Sequence, residues 1–374
     1  MLAAAFLFNL GQGVLRPSLP LYLRQFFGAN YRMVTLIPVV FSAGKWVTSL
    51  PTGYLYDRVG RTRVMVTGLV VIAACDVASV VIVRYSKFLA ARAVAGAGWA
   101  MFATVATTTM VRRAGARGRA ISLLLMAETL GVLLGSTIGG WLYQDAGTAI
   151  PFLFEAGCML LAGAVVGWSG PPSPERRVDT VDWRALRSVI QISGVVLASL
   201  TNATLMGIQT GVVVFLFPLY LVERGSFSPQ TVGRLIALSV LGRLLALWVS
   251  GRVSDRRDRM SVLARSLLGF GVVLGSLAAV SNPWLLGAWS VLIGAGAGFT
   301  AGLPTTIIGD RVDPALHGIA IGGLRTVTDA GMVLGPLLMG PLADALGLAA
   351  PFFVAGIVTS ALAWACHRHP ATAT

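Results

Sequence analysis

Lysine is almost missing from this chain: Lys45 and Lys87 are the only two among 374 residues. Charge of either sign is scarce, at 12% Asp, Glu, Lys and Arg together. A soluble chain of this length needs a far more polar surface to face water, so a soluble enzyme or scaffold is excluded. Histidine is down to three residues, His317, His367 and His369, two of them in the C-terminal tail. Membrane-embedded enzymes usually need a His/Asp metal cluster or a nucleophile with its base, and no such set is spaced here. Neither catalytic residues nor metal ligands are therefore expected. The three cysteines, Cys75, Cys158 and Cys366, fall inside apolar runs without ligand-like spacing and read as small buried hydrophobes. No phosphate-cradling glycine loop occurs, so no cofactor is expected and ATP is not the expected energy source. A signalling receptor would bring a soluble domain, and none is evident.

Apolar residues fill the space left by charge. They make up 56% of the chain, with 44 glycines and a mean hydropathy of +0.78. Glycine at this level suits helices packed closely in a bilayer, where small residues let backbones approach. The formal charge of +14 would suggest nucleic acid in a soluble chain. Here the basic residues sit in short loops between apolar spans, with no basic face interleaved with exposed aromatics, so nucleic acid is not an expected partner.

A helix needs roughly 20 apolar residues to cross the hydrocarbon core. The hydropathy pattern predicts spans near 2–23, 32–54, 64–84, 87–110, 119–142 and 149–169. Six more follow near 189–222, 230–251, 261–281, 283–308, 317–343 and 348–367. The first begins almost at Met1 and is too long for the apolar core of a secretory signal; whether the N-terminus is complete stays open. Arg58, Arg61 and Arg63 follow span two, and Arg112, Arg113, Arg117 and Arg119 follow span four. Arg252, Arg256, Arg257 and Arg259 follow span eight, while alternate loops hold only Arg24, Arg32, Arg84, Lys87 and Arg224. The basic side faces the cytoplasm, which puts both termini there and predicts a cell (inner) membrane protein, prokaryotic by its character.

The stretch 170–188 is the one sustained polar segment, and its prolines cannot continue a helix. It predicts a cytoplasmic linker between two six-helix bundles, 1–169 and 189–374. The halves echo each other at an offset of 198 to 200 residues. Pro20-Leu21-Tyr22-Leu23 recurs as Pro218-Leu219-Tyr220-Leu221, and Gly96-Ala97-Gly98 as Gly294-Ala295-Gly296. Gly131-x-x-x-Gly135 recurs as Gly331-x-x-x-Gly335, and Pro151-Phe152 as Pro351-Phe352. Parallel repeats of this kind describe transporters whose site lies between two bundles near the bilayer midplane.

After span two the chain reads Gly53-x-x-x-Asp57-Arg58-x-Gly60-Arg61-x-Arg63. Gly60 permits a tight turn, the arginines anchor it at the membrane surface, and Asp57 at a helix end can pair with arginine or a neighbouring helix N-terminus. The segment closely resembles motif A of the major facilitator superfamily. The resemblance covers essentially the whole chain. It implies an all-α membrane fold of twelve helices in two pseudo-symmetric bundles, with Gly53, Asp57, Arg58, Gly60 and Arg61 as a conformational latch. Asp255 and Arg256 belong to a second copy of the motif, in which Asp258 replaces the central glycine. Arg92-x-x-x-Gly96-x-Gly98 resembles the superfamily's motif B, whose arginine is implicated in proton transfer. Gly131-x-x-x-Gly135-Ser136-x-x-Gly139 resembles motif C of the proton-coupled drug antiporters, with Ser136 in place of proline. Those glycines fit a plain close-packing surface equally well.

Charge inside a span is expensive and marks candidate chemistry. Glu128 and Arg92 are not repeated in the second half, where Thr328 and Ser290 stand, so they are the leading proton-coupling candidates, with Asp329 as a further one. A neighbouring Arg would tune Glu128, and Arg325 could pair with Asp329 one turn away. Asp76 is expected to pair with Lys45, and Glu155 to lie near the outer interface. Arg16, beside Pro17, either lines a cavity mouth or snorkels outward. Asn9, Gln12, Asn202 and Gln209 offer polar groups to a solute, and Trp46 and Trp99 an apolar or stacking surface, unless they serve packing. The expected function is export of a small organic solute by proton antiport, by a monomer in the lipid bilayer. Uptake of a sugar, organic acid or other metabolite by symport or uniport is the alternative.

Overall fold

In hydrocarbon a backbone must satisfy its own hydrogen bonds, and long apolar runs therefore become helices. The computed structural model describes residues 1–111, 117–168, 192, 194–254, 258–280, 282–313 and 316–368, which form helices and short connections without strands. The first six long segments are α1 (Leu2–Phe27), α2 (Tyr31–Val59), α3 (Arg61–Val81), α4 (Tyr85–Val111), α5 (Arg117–Trp141) and α6 (Ile150–Trp168). The next six are α7 (Val195–Glu223), α8 (Pro229–Ser254), α9 (Arg259–Ser276), α10 (Pro283–Ala301, resuming as Leu303–Arg311), α11 (His317–Leu346) and α12 (Ala350–Arg368). Ten are long and apolar enough to cross a membrane. The two outside that set, α1 and α2, carry Asn9, Gln12 and Arg16, and Arg32 and Lys45, within their length. The expected linker 170–188 lies outside the described residues.

Contacts divide the chain into two units, Met1–Val178 with Ser226–Ala237, and Asp179–Gly225 with Leu238–Thr374. In the first, α1 runs along α5 and α6, α4 lies between α2 and α3, and α3 packs on α6. The second unit packs α7 on α11 and α9 on α12 in the corresponding way. The start of α8 counts with the first unit, where Gly233 meets Ser136 and Gly140 of α5.

The repeated glycines work as contact surfaces. A Cβ on Gly135 would strike the Leu10 carbonyl and the backbone of Gly13 and Val14 on α1. In the second unit Gly335 abuts Gly207 of α7 in the same manner. Gly135→Val should therefore lower stability by about 1–3 kcal/mol, the usual cost of overpacking, read as a lower unfolding temperature in detergent. An unchanged temperature would mean that α1 and α5 do not pack this closely.

The departure of the second motif A copy from its pattern has a local cause. Gly60 enters α3 with φ 89°, a left-handed value that favours glycine. Asp258 enters α9 with φ −55°, and its carboxylate accepts a hydrogen bond from the Ser261 backbone N–H at 2.8 Å. Partial burial opposes the charge, but the Ser261 and Met260 donors hold Asp258 below the usual carboxylate range. The second turn needs a helix cap, and an acid supplies it where the first turn needed a glycine.

Candidate functional site

The first unit holds a buried cluster of charge. Ile72, Asp76 and Ser79 share one face of α3, and Phe88 and Arg92 share one face of α4, by helical spacing. Arg92, 4% exposed, reaches Asp76 Oδ1 at 2.7 Å and donates to Ser79 Oγ at 2.8 Å through the same Nη2. Its guanidinium carbon lies 5.4 Å from the Phe88 ring centre and 5.7 Å from that of Phe152 on α6. Glu155, one turn past Phe152, is 1% exposed, and Asp76 is fully buried. Gln12 of α1 donates to Glu155 Oε1 at 2.5 Å. The Glu155 and Asp76 carboxyls lie within hydrogen-bonding reach of each other. Four helices thus converge on two acids and one guanidinium.

The internal repeat shows that the fold does not require these charges. At the matching positions of the second unit stand Leu274 for Asp76, Leu277 for Ser79, Ser290 for Arg92 and Ala355 for Glu155. All four are buried there, and Ser290 only returns a hydrogen bond to Leu286 O in its own helix, at 2.8 Å. The same packing solution exists without charge.

Several sequence expectations change. Asp76 pairs with Arg92 instead of Lys45, because α3 faces α4 and α6 at that level; Lys45 places its ammonium 4.1 Å from the Trp99 ring centre. Glu155, near the start of α6, is buried inside the bundle, because it sits on the α6 face packed against α1 and α3. Arg92 and Glu128 do not meet, since Asp76 and Ser79 engage the guanidinium. Glu128 is half-buried on the α1-facing side of α5, between Leu124 and Gly131, both packed on α1. No hydrogen bond or ion pair joins it to any other described residue. Asp329 is half-buried on α11 and makes no ion pair with the exposed Arg325.

The remaining candidates are dispersed. Asn9 donates to Ala5 O at 3.0 Å within α1, and Asn202 to Thr328 Oγ1 at 2.6 Å, joining α7 to α11. Arg16 is half-buried, and Trp46 is exposed on α2. Trp99 packs against Phe8 with ring centres 6.3 Å apart. In the latch, Gly60 makes the turn and Arg58 is exposed at the end of α2, while Arg61 is half-buried and its Nε has no hydrogen-bond partner among the described residues. The side chains at Gly53 and Asp57, and all of Asp255 and Arg256, lie outside the described residues.

The second unit has its own feature at positions where the first is filled. Trp99 and Phe102 correspond by the repeat to Ala297 and Thr300, and a small cavity of about 10 Å³ opens there. That is room for about one water. Arg243 of α8, Gln209 of α7 and Phe270 of α9 complete its lining. Gln209 begins a π-helical segment, Gln209–Leu216, ahead of Pro218, and its Oε1 is buried without a hydrogen-bond partner among the described residues. Widened turns of this type are frequent at functional sites.

Comparison with known proteins follows the same lines. The sequence profile of the Major Facilitator Superfamily matches residues 1–228 and 200–372. The chain belongs to the Major Facilitator Superfamily. It is a multi-pass membrane protein and a transporter of the secondary type, with no enzymatic role. Among relatives of this superfamily member, the multidrug resistance protein MdtG of Yersinia enterocolitica is 31% identical over 166 residues, 43% of this chain but only 39% of that protein. The MFS-type transporter YcaD of Escherichia coli is 27% identical over 302 residues, 80% of this chain and 76% of its own. Two crystal structures share the fold. The nucleoside transporter NupG superposes with TM-score 0.81 at 12% identity, covering 98% of this chain and 97% of its own. A bacterial homologue of the human lysosomal transporter Spinster gives 0.80 at 14%, covering 98% and 96%.

Sequence reasoning missed Asp76 and Ser79 as partners of Arg92, and Glu155 as a member of the same buried cluster. A signal was available: the test of asymmetry that singled out Arg92 and Glu128 also singles out Asp76 against Leu274 and Glu155 against Ala355.

Proposed function

We propose that this superfamily member exports a small organic solute in exchange for protons, by alternating access, as a monomer with both termini on the cytoplasmic side of the inner membrane. The observation that carries the proton part is Glu128: an acid inside a membrane span, half-buried, with no counter-charge among the described residues. Such a group gains a proton readily when its surroundings dry and loses it when they open to water. Its α1-facing position, amid glycines packed on the α1 backbone, makes its charge state sensitive to any shift of α1. The partial likeness to MdtG supports export of drug-like compounds. Asn9, Gln12, Arg16, Trp46, Trp99, Asn202 and Gln209 are the residues we assign to solute contact, three of which, Asn9, Gln12 and Asn202, would exchange the hydrogen bonds they make to Ala5, Glu155 and Thr328. Arg92 supports proton movement through its acids and Asp329 is a secondary candidate, while Gly53, Asp57, Arg58, Gly60, Arg61, Asp255 and Arg256 act as the cytoplasmic latch.

The test uses inverted membrane vesicles with an imposed proton gradient and a pH-sensitive dye, challenged with drug-like cations and then with metabolites. Proton release on addition of a compound, at least tenfold weaker in Glu128→Gln, is the expected result. Proton movement in the opposite sense would establish symport and replace export by uptake. An undiminished response in Glu128→Gln would remove Glu128 as the proton site.

A further inference from the structure

The buried cluster of the first unit does not balance its charge. Asp76 and Glu155 carry two potential negative charges, and Arg92 supplies one positive charge. The other titratable groups that face the pair are the thiols of Cys75 on α3 and Cys158 on α6, and neither adds positive charge. Gln12, which reaches in from α1, is neutral. With both acids ionised, one net negative charge would be enclosed among Phe88, Phe152 and apolar helix faces, where burial makes an unbalanced charge costly.

The hydrogen bonds point the same way. Asp76 Oδ1 is taken by Arg92 and Glu155 Oε1 by Gln12. Asp76 Oδ2 and Glu155 Oε2 are the two carboxyl oxygens of the cluster without a hydrogen-bond partner among the described residues, in side chains no more than 1% exposed. The carboxyl groups are nevertheless within hydrogen-bonding reach of each other. Ionised carboxylates only accept, so two of them can hydrogen bond only when one carries a proton. A single proton satisfies both open oxygens and brings the cluster to neutrality.

We propose that Asp76 and Glu155 share one proton, forming a proton-binding site inside the first unit, separate from Glu128 and tied to α1 by Gln12. The donor and acceptor can exchange roles, Glu155 Oε2–H donating to Asp76 Oδ2 or the reverse, without net transfer. Gln12 holds Glu155 from α1, so displacement of α1 withdraws a donor from one acid and changes how tightly the proton is kept. The site stands on the geometry alone; its use in transport rests on the reading of a proton-coupled carrier. The second unit, with Leu274 and Ala355 at these positions, has no equivalent.

Infrared spectroscopy of the purified full-length protein tests this directly, because protonated carboxylic acids absorb apart from carboxylates. Glu128→Gln serves as the background, so that residue contributes no acid band. At neutral pH this background is expected to show the band of one protonated, solvent-shielded carboxyl per chain. Adding Glu155→Gln should abolish it, since Asp76 and Arg92 then balance as an ion pair, and adding Asp76→Asn should abolish it for the converse reason. Each amide keeps the shape of the acid it replaces, so both variants should fold. Absence of the band in the background, or its survival in either double variant, would overturn the shared proton. The outcome is independent of the vesicle assay: the band can be present where antiport fails, and antiport through Glu128 can persist where the band is absent.

Discussion

Arg92→Gln should be among the most destabilising single substitutions in the chain, costing about 3–5 kcal/mol, the loss typical of breaking one side of a buried ion pair. Asp76 and Glu155 would then face each other without a cation, and both would have to take protons to stay buried. The loss should appear as a large drop in unfolding temperature in detergent, or as failure to accumulate in the membrane. The internal repeat supplies the rescue. Replacing Arg92→Ser, Asp76→Leu and Glu155→Ala together installs the residues that the second unit carries at the same places. A buried ion cluster exchanged for apolar groups of fitting shape is often neutral or stabilising. The triple variant should thus recover stability at or above that of the native protein while losing any proton function of the cluster. A triple variant as unstable as Arg92→Gln would mean that the first unit needs its charges for packing.

Arg243→Met should have the opposite effect on stability, raising it by about 0.5–2 kcal/mol, the usual scale of a stabilising substitution, because a half-buried guanidinium gives way to an apolar side chain. The guanidinium lines a small cavity with Gln209, Phe270 and Thr300, and no described acid pairs with it. Its repeat partner Lys45 has the Trp99 face to sit on, whereas Ala297 stands where Trp99 would be. Methionine has similar reach and fills irregular gaps. A higher unfolding temperature with weakened transport would identify Arg243 as a charge kept for function at a cost in stability. A lower temperature would show that its contacts outweigh its desolvation.

Much of the architecture was legible in the chain. Apolar runs of span length, interrupted by arginine-rich loops, are forced into helices by the lack of water in hydrocarbon, and the helices appear close to the predicted spans. Gly131 and Gly135 were readable as a packing surface because small residues four apart share a helix face, and α1 lies against them. Gly60 was readable as a turn because few other residues tolerate its φ. Segments such as α7 were less so: its helix starts at Val195, and the π-segment from Gln209 left no mark on hydropathy.

The sequence by itself determined that this protein lives in a bilayer, has two related halves and carries charges inside its spans that the repeat does not reproduce. Composition and repeat are properties of the chain, and the solvent acts on them residue by residue. Only the tertiary structure decided which charges meet. Asp76, Arg92, Glu155 and Gln12 come from four different helices, and no spacing along one helix tells which face of another will lie opposite. Lys45 was the expected partner of Asp76, and it is packing that turns α3 toward α4 and α6 and so brings Arg92 there instead. The pairing of buried charge is set by helix rotation within the bundle, and that is fixed by the sum of many apolar contacts that no single residue announces.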